Sequence, residues 1–308
     1  MRIKNIYDKS FVDIPDSEPK VKIPLENVGV SNRPHYIAML DPFDRKKEIT
    51  VWGEINILSN LAKDQRGLHM SRFEEILHQL ASEQSRDIQK FTRELCMLAL
   101  KSQGAKKCAI GVSVNYEKTT DNKNLSGKLS HELIRLTSYF KTNRNNNFSR
   151  IGMIVPFFNA CPCTQRWGMR DFHRFLLTEN LDKKLIEKLI INAPLQAHTN
   201  RGDLTLEIQS NKVTYKDIYR ILEKSSPIIR ELLKGKDEHA FVKEGHKLAL
   251  FCEDLARETA FNTVKMLDKK LEKDTLIKIV VNTDESVHFH NLFCEINTSL
   301  AKLKADIG

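Results

Sequence analysis

The chain has 308 residues, of which 41% are hydrophobic, so it can bury one large core or two modules of roughly 150 residues each. Its 49 basic and 40 acidic residues give a net charge of +9, which suits a polyanionic small molecule, an acidic membrane surface or nucleic acid. No apolar run approaches the ~18 residues of a membrane span, and no basic block alternates with aromatic residues, so we expect neither membrane nor nucleic acid as a partner.

The compartment follows from the N-terminal residues and the cysteines. No apolar secretion segment follows Met1, so we expect a cytoplasmic protein. Six cysteines are scattered along the chain without a disulfide-like spacing, which favours reduced thiols.

The first module is predicted from periodicity. Prolines among charged residues predict an extended arm over residues 1–27. Residues 48–58 and 108–116 alternate between apolar and polar side chains, as strands do, and residues 73–100 carry helical spacing. A polar turn at 143–147 then ends a first module over 28–147.

The second module, 148–308, repeats this order. Strands are predicted at 151–158, 204–208, 276–281 and 287–296, and helices at 215–233 and 245–267. An insertion over about 164–196 carries its own amphipathic helix at 181–190. Two such modules leave open sheet edges, which favours closure into a barrel by self-association.

The most informative motif is Cys161-Pro162-Cys163, which ends an apolar run at a point where a strand is predicted to open into a loop. A thiolate is both a soft metal ligand and a nucleophile. A catalytic divalent ion needs about three protein ligands with one open position, and His198, before a strand, and Glu223, at a helix end, are downstream candidates. A structural or incidental cysteine pair is the alternative.

A second motif is Glu285-Ser286-Val287-His288-Phe289-His290. Period-two alternation predicts that His288 and His290 share one face of a strand, where two imidazoles could move protons near neutral pH. The alternatives are a second metal site or a solvated pair of histidines.

Two further polar clusters could bind parts of a nucleotide. Arg66, His69 and Arg72 crowd a predicted helix start, where phosphate oxygens bind, although Ser71 could simply cap the helix. The second cluster is the polar stretch 236–238, which follows a predicted helix. A carboxylate there could accept hydrogen bonds from a purine edge, or the cluster could be a solvated helix end. The chain contains neither a P-loop nor a Gly-x-Gly-x-x-Gly motif.

These motifs, taken in order with Ala197-His198-Thr199-Asn200-Arg201-Gly202 and Asp237-Glu238, resemble GTP cyclohydrolase I of the type IB family. The resemblance runs from about Val28 to His290. It implies an α+β tunnelling fold (T-fold) of two tandem modules of antiparallel strands and paired helices, forming a toroidal oligomer. It also implies a homo-oligomer, expected as a tetramer, with active sites at subunit interfaces.

The resemblance also assigns roles. The implied metal ligands, for Zn, Mn or Fe, are Cys161, His198 and Glu223. Glu238 would anchor the guanine, Glu285, His288 and His290 would form the catalytic motif, and Cys163 would lie near the substrate. Weaker candidates for the triphosphate, chosen for charge, are Arg66, His69, Arg72, Arg201 and Lys236.

The implied reaction is hydrolysis of GTP at C8 with release of formate, giving 7,8-dihydroneopterin triphosphate in tetrahydrofolate and pterin biosynthesis. The insertion resembles the archaeal branch of the family, for which the product would be a 7,8-dihydroneopterin 2',3'-cyclic phosphate. His173 lies closer to the cysteines than His198 and is the alternative metal ligand. A non-catalytic nucleotide-binding or metal-binding protein, or an enzyme acting on a pterin or purine, are competing interpretations.

Overall fold

The computed structural model describes residues 13–81, 86–120, 127–143, 145–193, 197–231 and 235–308. Residues 1–12 of the predicted arm and 194–196 of the predicted insertion lie outside these ranges. Among the described residues, no helix combines the length and apolar character that a membrane crossing requires.

Eight strands, eight α-helices and one short 3-10 helix (Ile14–Asp16) are defined in the described ranges. The strands are β1 (Leu25–Leu40), β2 (Glu48–Leu61), β3 (Cys108–Thr119), β4 (His131–Thr142), β5 (Asn147–Ala160), β6 (Thr199–Ile208), β7 (Leu276–Asp284) and β8 (Leu292–Ser299). The helices are α1 (Met70–Ala81), α2 (Ile88–Ser102), α3 (Pro162–Thr178), α4 (Lys183–Asn192), α5 (Tyr215–Ser225), α6 (Gly235–Lys247), α7 (Cys252–Leu267) and α8 (Leu300–Ile307).

The fold-class prediction of two tandem modules forming a toroidal oligomer is wrong. The eight strands form one antiparallel sheet in which the hydrogen-bonded order is the chain order. The polar turn at 143–147, taken from sequence as a module boundary, is a tight connection in which the Asn143 N–H donates to the Asn146 carbonyl over 3.2 Å. It joins β4 directly to β5, so the sheet does not end there.

Packing divides the chain into two compact units, Met1–Val114 with Thr137–Arg150, and Asn115–Leu136 with Ile151–Gly308. In the first unit α1 and α2 lie against β1 and β2, and their apolar faces bury Phe73, Leu77 and Leu95. The predicted division at residue 147 stays a prediction.

In the second unit β5 to β8 pair in order, and α5 and α7 pack together, with α7 against β7 and β8. Alternating apolar residues of β7 and the inward face of α5, such as Ile279, Val281, Ile218 and Leu222, are fully buried. Burial of such side chains stabilises the unit by about 1.5–3 kcal/mol each. This core supports the sheet ends described below.

The strand predictions in 48–58, 108–116, 151–158, 204–208 and 276–281 are confirmed. The helical spacing over 73–100 belongs to two helices, α1 and α2. The predicted helix at 215–233 ends at Ser225, because Pro227 lies just beyond and the Ser226 N–H closes on Leu222. The predicted helix at 245–267 is also two helices, α6 and α7.

The insertion is a helical hairpin in its described part. α4 confirms the predicted amphipathic helix, and α3 precedes it. Leu176 of α3 and Ile186 of α4 are the buried side chains of these two short helices. The first helix of the hairpin begins directly after Cys161, so the Cys161-Pro162-Cys163 motif lies at its start.

Candidate active site

A cavity of about 220 Å³ lies in the second unit where β5 ends, β6 begins and β7 ends. Register explains the convergence, because Ala160 pairs with Thr199 and Arg201 pairs with Asp284, so the three strand termini share one edge of the sheet. The residues lining the cavity are Asn159, Cys161, Pro162, Cys163, His198, Asn200, Leu250, Phe251, Cys252, Thr283, Glu285, His288, His290 and Leu292.

Cys161 and Cys163 sit at the start of a helix, so the predicted loop after the strand is wrong. Cys161 is the N-cap of α3, and Pro162 occupies the first turn, where its fixed φ suits helix initiation. The Cys161 N–H donates to the His198 carbonyl over 3.0 Å, which ties the two predicted ligand positions together through the backbone. The Cys161 side chain is half-buried and that of Cys163 is exposed.

His198 is held by polar contacts on one ring nitrogen. Its Nδ1 lies 3.3 Å from Asn200 Oδ1 and 3.4 Å from Ser286 Oγ. Asn200 also donates from Nδ2 to Glu285 Oε1 over 2.6 Å and accepts from the Ser286 N–H over 3.1 Å. Asn200 therefore joins the start of β6 to the residues that follow β7.

His288 and His290 lie in the connection between β7 and β8, so the prediction that they occupy a strand is wrong. They are nevertheless together, because their rings stack with centroids 5.1 Å apart and planes at 14°. The His288 ring also meets His198 edge-on, with centroids 5.8 Å apart. Three imidazoles thus follow one another along the cavity.

His198, Glu285 and His288 could hold a metal ion. One donor atom from each lies within 4.8 Å of the other two. Two imidazoles and a carboxylate form a ligand set that suits Zn, Mn or Fe, and an exposed His288 leaves the site open on one side. The residues present therefore fit a catalytic divalent ion.

The other predicted ligands are placed differently. Cys161 lines the same cavity, whereas Glu223 is exposed on α5 and is absent from the lining. Glu223 Oε1 lies 3.2 Å from the Tyr219 hydroxyl, which donates to Glu132 over 2.6 Å. His173, the alternative ligand, is exposed on α3 and does not line the cavity. The roles of Cys161 and Glu223 as ligands stay predictions.

Two of the three first-unit candidates for phosphate binding, His69 and Arg72, have side-chain partners within the fold. The buried His69 ring places Nε2 2.9 Å from Asp16 Oδ1 and Nδ1 3.4 Å from Asp13 Oδ2. Arg72 Nη1 donates to the Ser102 carbonyl over 2.8 Å, while Arg66 is exposed. Their role in binding the triphosphate stays a prediction.

In the second unit, Lys236 and Glu238 are exposed in the first turn of α6, which places them at a helix start rather than after a helix end. Arg201 is exposed on β6. None of the three lines the cavity that contains His198. Their contact with a substrate also stays a prediction.

Two buried polar side chains of the cavity floor were missed by the sequence reasoning. Asn159 donates from Nδ2 to the Leu250 carbonyl over 3.0 Å, but its Oδ1 is buried without a hydrogen-bond partner among the described residues. Thr283 Oγ1 is likewise buried without a hydrogen-bond partner among the described residues. An asparagine directly after the apolar run of β5 was the available signal for the first. Buried polar groups without a partner are rare in native proteins, so these two atoms mark polar positions in the cavity lining that the fold itself does not use.

Cys252 is a further cavity residue that the sequence reasoning did not single out. Burial raises the pKa of its thiol to about 12, and the Glu253 carboxylate 3.2 Å away acts in the same direction. The thiol is therefore protonated at neutral pH and is unsuited to act as a nucleophile or thiolate ligand.

The fold and site together define an α+β protein with an antiparallel sheet and a candidate metal centre at the strand ends. The crystal structure of uricase from Arthrobacter globiformis shares this fold, with a TM-score of 0.52 at 8% identity, covering 91% of this chain and 96% of that one. At that identity the likeness concerns the fold alone.

The sequence relatives identify the family. The profile of the family described as Type I GTP cyclohydrolase folE2 matches residues 11–294, and the chain belongs to this family. It is 28% identical over 311 residues to GTP cyclohydrolase MptA of Methanobrevibacter smithii, covering 96% of this chain and 97% of that protein. MptA of Methanocaldococcus jannaschii is 27% identical over 307 residues, with the same coverage. The prediction of an enzyme of the GTP cyclohydrolase family is confirmed.

Proposed function

We propose that the protein is a divalent-metal-dependent GTP cyclohydrolase of type IB that hydrolyses GTP at C8 of the guanine and releases formate. The observation that carries the proposal is the convergence of His198, Glu285 and His288 in one cavity of a chain that belongs to this family. Ring opening of guanine needs an activated water and proton transfers to ring nitrogens, and this group of side chains can supply both.

The residues divide by position. His198, Glu285 and His288 would hold the ion, with Cys161 on the same wall as a further ligand. A bound Zn, Mn or Fe ion would supply Lewis acidity and lower the pKa of a water toward neutrality. His290, whose ring stacks on His288, would transfer protons as the C8–N9 and C8–N7 bonds break and formate leaves. Cys163 would lie beside the substrate.

Substrate contacts outside the cavity are proposed for charged residues. Glu238 would accept hydrogen bonds from the guanine edge, as a carboxylate accepts them in pairs. The triphosphate would meet basic residues drawn from Arg66, His69, Arg72, Arg201 and Lys236. The net charge of +9 favours approach of a substrate with about four negative charges.

We propose that the complete site is shared between copies of the chain in a homo-oligomer, with a tetramer as the expected state. The cavity of about 220 Å³ is smaller than the roughly 300–1,000 Å³ of typical ligand pockets, so GTP needs further walls. Val287, Phe289 and Phe293 are exposed apolar side chains next to the catalytic histidines, which suits burial by a second copy.

A mixing experiment tests the shared site. His288→Ala and Glu238→Ala are each expected to be inactive alone. If one copy supplies the histidine and another the carboxylate, co-assembled subunits regain a fraction of wild-type activity. Co-assemblies of confirmed mixed composition that stay inactive would contradict a shared site.

Two products are possible, and a specific observation favours each. The sequence motifs imply 7,8-dihydroneopterin triphosphate. The archaeal MptA relatives and the α3–α4 hairpin favour the 2',3'-cyclic phosphate. In that second outcome the 2'-hydroxyl of the dihydroneopterin side chain attacks the α-phosphorus of the triphosphate on the same side chain, and pyrophosphate leaves.

The test of the proposed function is formate release from GTP, with product mass measured after anaerobic incubation with each metal. Chelator is expected to abolish release, and added Mn, Zn or Fe to restore it. A mass for the triphosphate or for the cyclic phosphate identifies the product. GTP that is bound but unchanged would support a non-catalytic protein, and turnover of a reduced pterin or urate in place of GTP would support another enzyme.

A further inference from the structure

We infer that Asn200 is a positioning residue, which sets the tautomer of His198 and the orientation of Glu285 so that both face one ion. The inference deepens the proposed function, since it depends on these two residues being ligands. Asn200 does not itself belong to the group of candidate donors, and the residue is only 6% exposed.

The amide orientation of Asn200 is determined by its neighbours. The Ser286 backbone N–H, which can only donate, lies 3.1 Å from Asn200 Oδ1. The Glu285 carboxylate, which accepts when ionised, lies 2.6 Å from Nδ2. A flipped amide would set two acceptors against each other and two donors against each other. The oxygen therefore faces Ser286 and the nitrogen faces Glu285.

This orientation determines the His198 tautomer. Because Asn200 Oδ1 is an acceptor and lies 3.3 Å from His198 Nδ1, that nitrogen carries the proton. The lone pair then resides on Nε2, which is the form in which an imidazole binds a metal. Metal-ligating histidines commonly donate their other ring N–H to such a partner.

The same side chain restrains the carboxylate. A hydrogen bond to Glu285 Oε1 leaves Oε2 available as a ligand and holds a residue that lies beyond the end of β7. Asn200 can do this because it pairs with Asn159 across β5 and β6, so its backbone belongs to the ordered sheet. A rigid strand thus orients ligands from two different segments.

The test compares metal affinity rather than activity. Wild type and the variants Asn200→Leu, Asn200→Asp and Asn282→Ala are titrated with Zn²⁺ against a chromophoric chelator, and Co²⁺ absorption spectra are recorded. Asn282 is an exposed strand residue of β7 outside the cavity and serves as the matched control. Melting temperatures establish that each variant is folded.

The expected result is a loss of about 10–100-fold in Zn²⁺ affinity for Asn200→Leu, with a changed Co²⁺ spectrum and an unchanged control. Asn200→Asp keeps the acceptor toward His198 but places a second carboxylate against Glu285. We therefore expect it to bind more weakly than wild type, and it keeps the test usable if the leucine variant fails to fold.

Two negative outcomes are distinguishable. If wild type binds Zn²⁺ and the folded Asn200 variants bind it equally well with the same Co²⁺ spectrum, the positioning role is wrong while the proposed function stands. If wild type binds neither Zn²⁺, Mn²⁺ nor Fe²⁺, the metal-dependent function itself fails, and the inference fails with it.

Discussion

The Asn200 side chain donates to Glu285 Oε1 over 2.6 Å, joining the first residues of β6 to the segment that follows β7. Charge-assisted hydrogen bonds of this length are about twice as strong as neutral ones. The contact connects two motifs that are far apart in the sequence. The catalytic proposal requires that this connection exists before the substrate binds.

The first prediction concerns which histidine binds the metal. His198→Ala is expected to reduce bound metal from about one ion per chain to nearly none and to abolish formate release, because a ligand of an approximately three-ligand site is lost. His173→Ala, on the exposed face of α3, is expected to retain both. Metal content after dialysis, measured by mass spectrometry, checks the pair. Loss of metal in the His173 variant alone would move the ligand to the insertion.

The second prediction separates two carboxylates. Glu285 shares a cavity with His198, whereas Glu223 lies beside Tyr219 on α5. If His198, Glu285 and His288 hold the ion in the isolated chain, Glu285→Gln weakens Zn²⁺ binding by at least tenfold. Glu223→Gln then leaves Zn²⁺ binding unchanged. If Glu223 acts as the sequence motifs imply, its glutamine variant shows the larger loss. Chelator competition on both variants distinguishes these results.

The third prediction concerns the buried Thr283 hydroxyl of the cavity floor. Because this hydroxyl has no partner among the described residues, Thr283→Val should leave the free energy of unfolding unchanged or raise it, by about 1 kcal/mol at most. If the hydroxyl contacts the substrate, KM for GTP rises. Denaturant unfolding and steady-state kinetics measure the two effects.

A matched control for Thr283 is Thr263→Val in α7. The Thr263 hydroxyl is buried and donates to the Thr259 carbonyl over 2.7 Å. Its removal should lower stability by about 1 kcal/mol without changing KM. A Thr283 variant that loses as much stability as the control, with KM unchanged, would show that its hydroxyl serves the fold.

The fourth prediction concerns pH and Glu132, whose side chain is fully buried. Burial raises its pKa above the ordinary value of 4.5, and the Tyr219 hydroxyl, Lys118 and Arg230 only partly oppose this. The folded state therefore binds the proton more tightly than the unfolded state. The stability that this provides is complete below pH 4.5 and is lost as pH rises through the raised pKa.

The variant Glu132→Gln lacks this titration. Its free energy of unfolding relative to wild type is expected to increase with pH above 4.5. The increase is about 1.4 kcal/mol for each pH unit until the pH reaches the raised pKa of Glu132 in the folded wild type, and the difference then levels off. Urea unfolding at several pH values measures it, with the exposed Glu231→Gln as control. A stability difference that does not vary with pH would show that the pKa of Glu132 is not raised.

Much of this site could be predicted from the sequence because its candidate residues lie at the ends of strands. Cys161, His198 and Glu285 each lie next to a recognisable apolar strand, and antiparallel pairing brings those ends together. Asn200 lies within the motif Ala197–Gly202, but no role was predicted for it, because an asparagine within a strand has no periodic signal of its own. Its role depends on contacts with residues 85 and 86 positions away.

Local sequence patterns also gave wrong strand predictions where contacts with distant parts of the chain determine the structure. Val287 and Phe289 alternate with the histidines and mimic a strand, yet both apolar side chains are exposed and the strand begins only at Leu292. β4 escaped prediction, and its pattern places the charged Glu132 among the buried positions. Period-two reasoning identifies a face, but it cannot tell whether a partner covers that face.

The most direct test of the central claim follows the C8 carbon itself. GTP labelled with carbon-13 at C8 is incubated anaerobically with the metal-loaded protein, and the products are examined by NMR. We expect the label to appear in formate in an amount equal to the GTP consumed, and we expect chelator to prevent this. Label that stays in intact GTP with Zn, Mn and Fe alike would contradict this expectation.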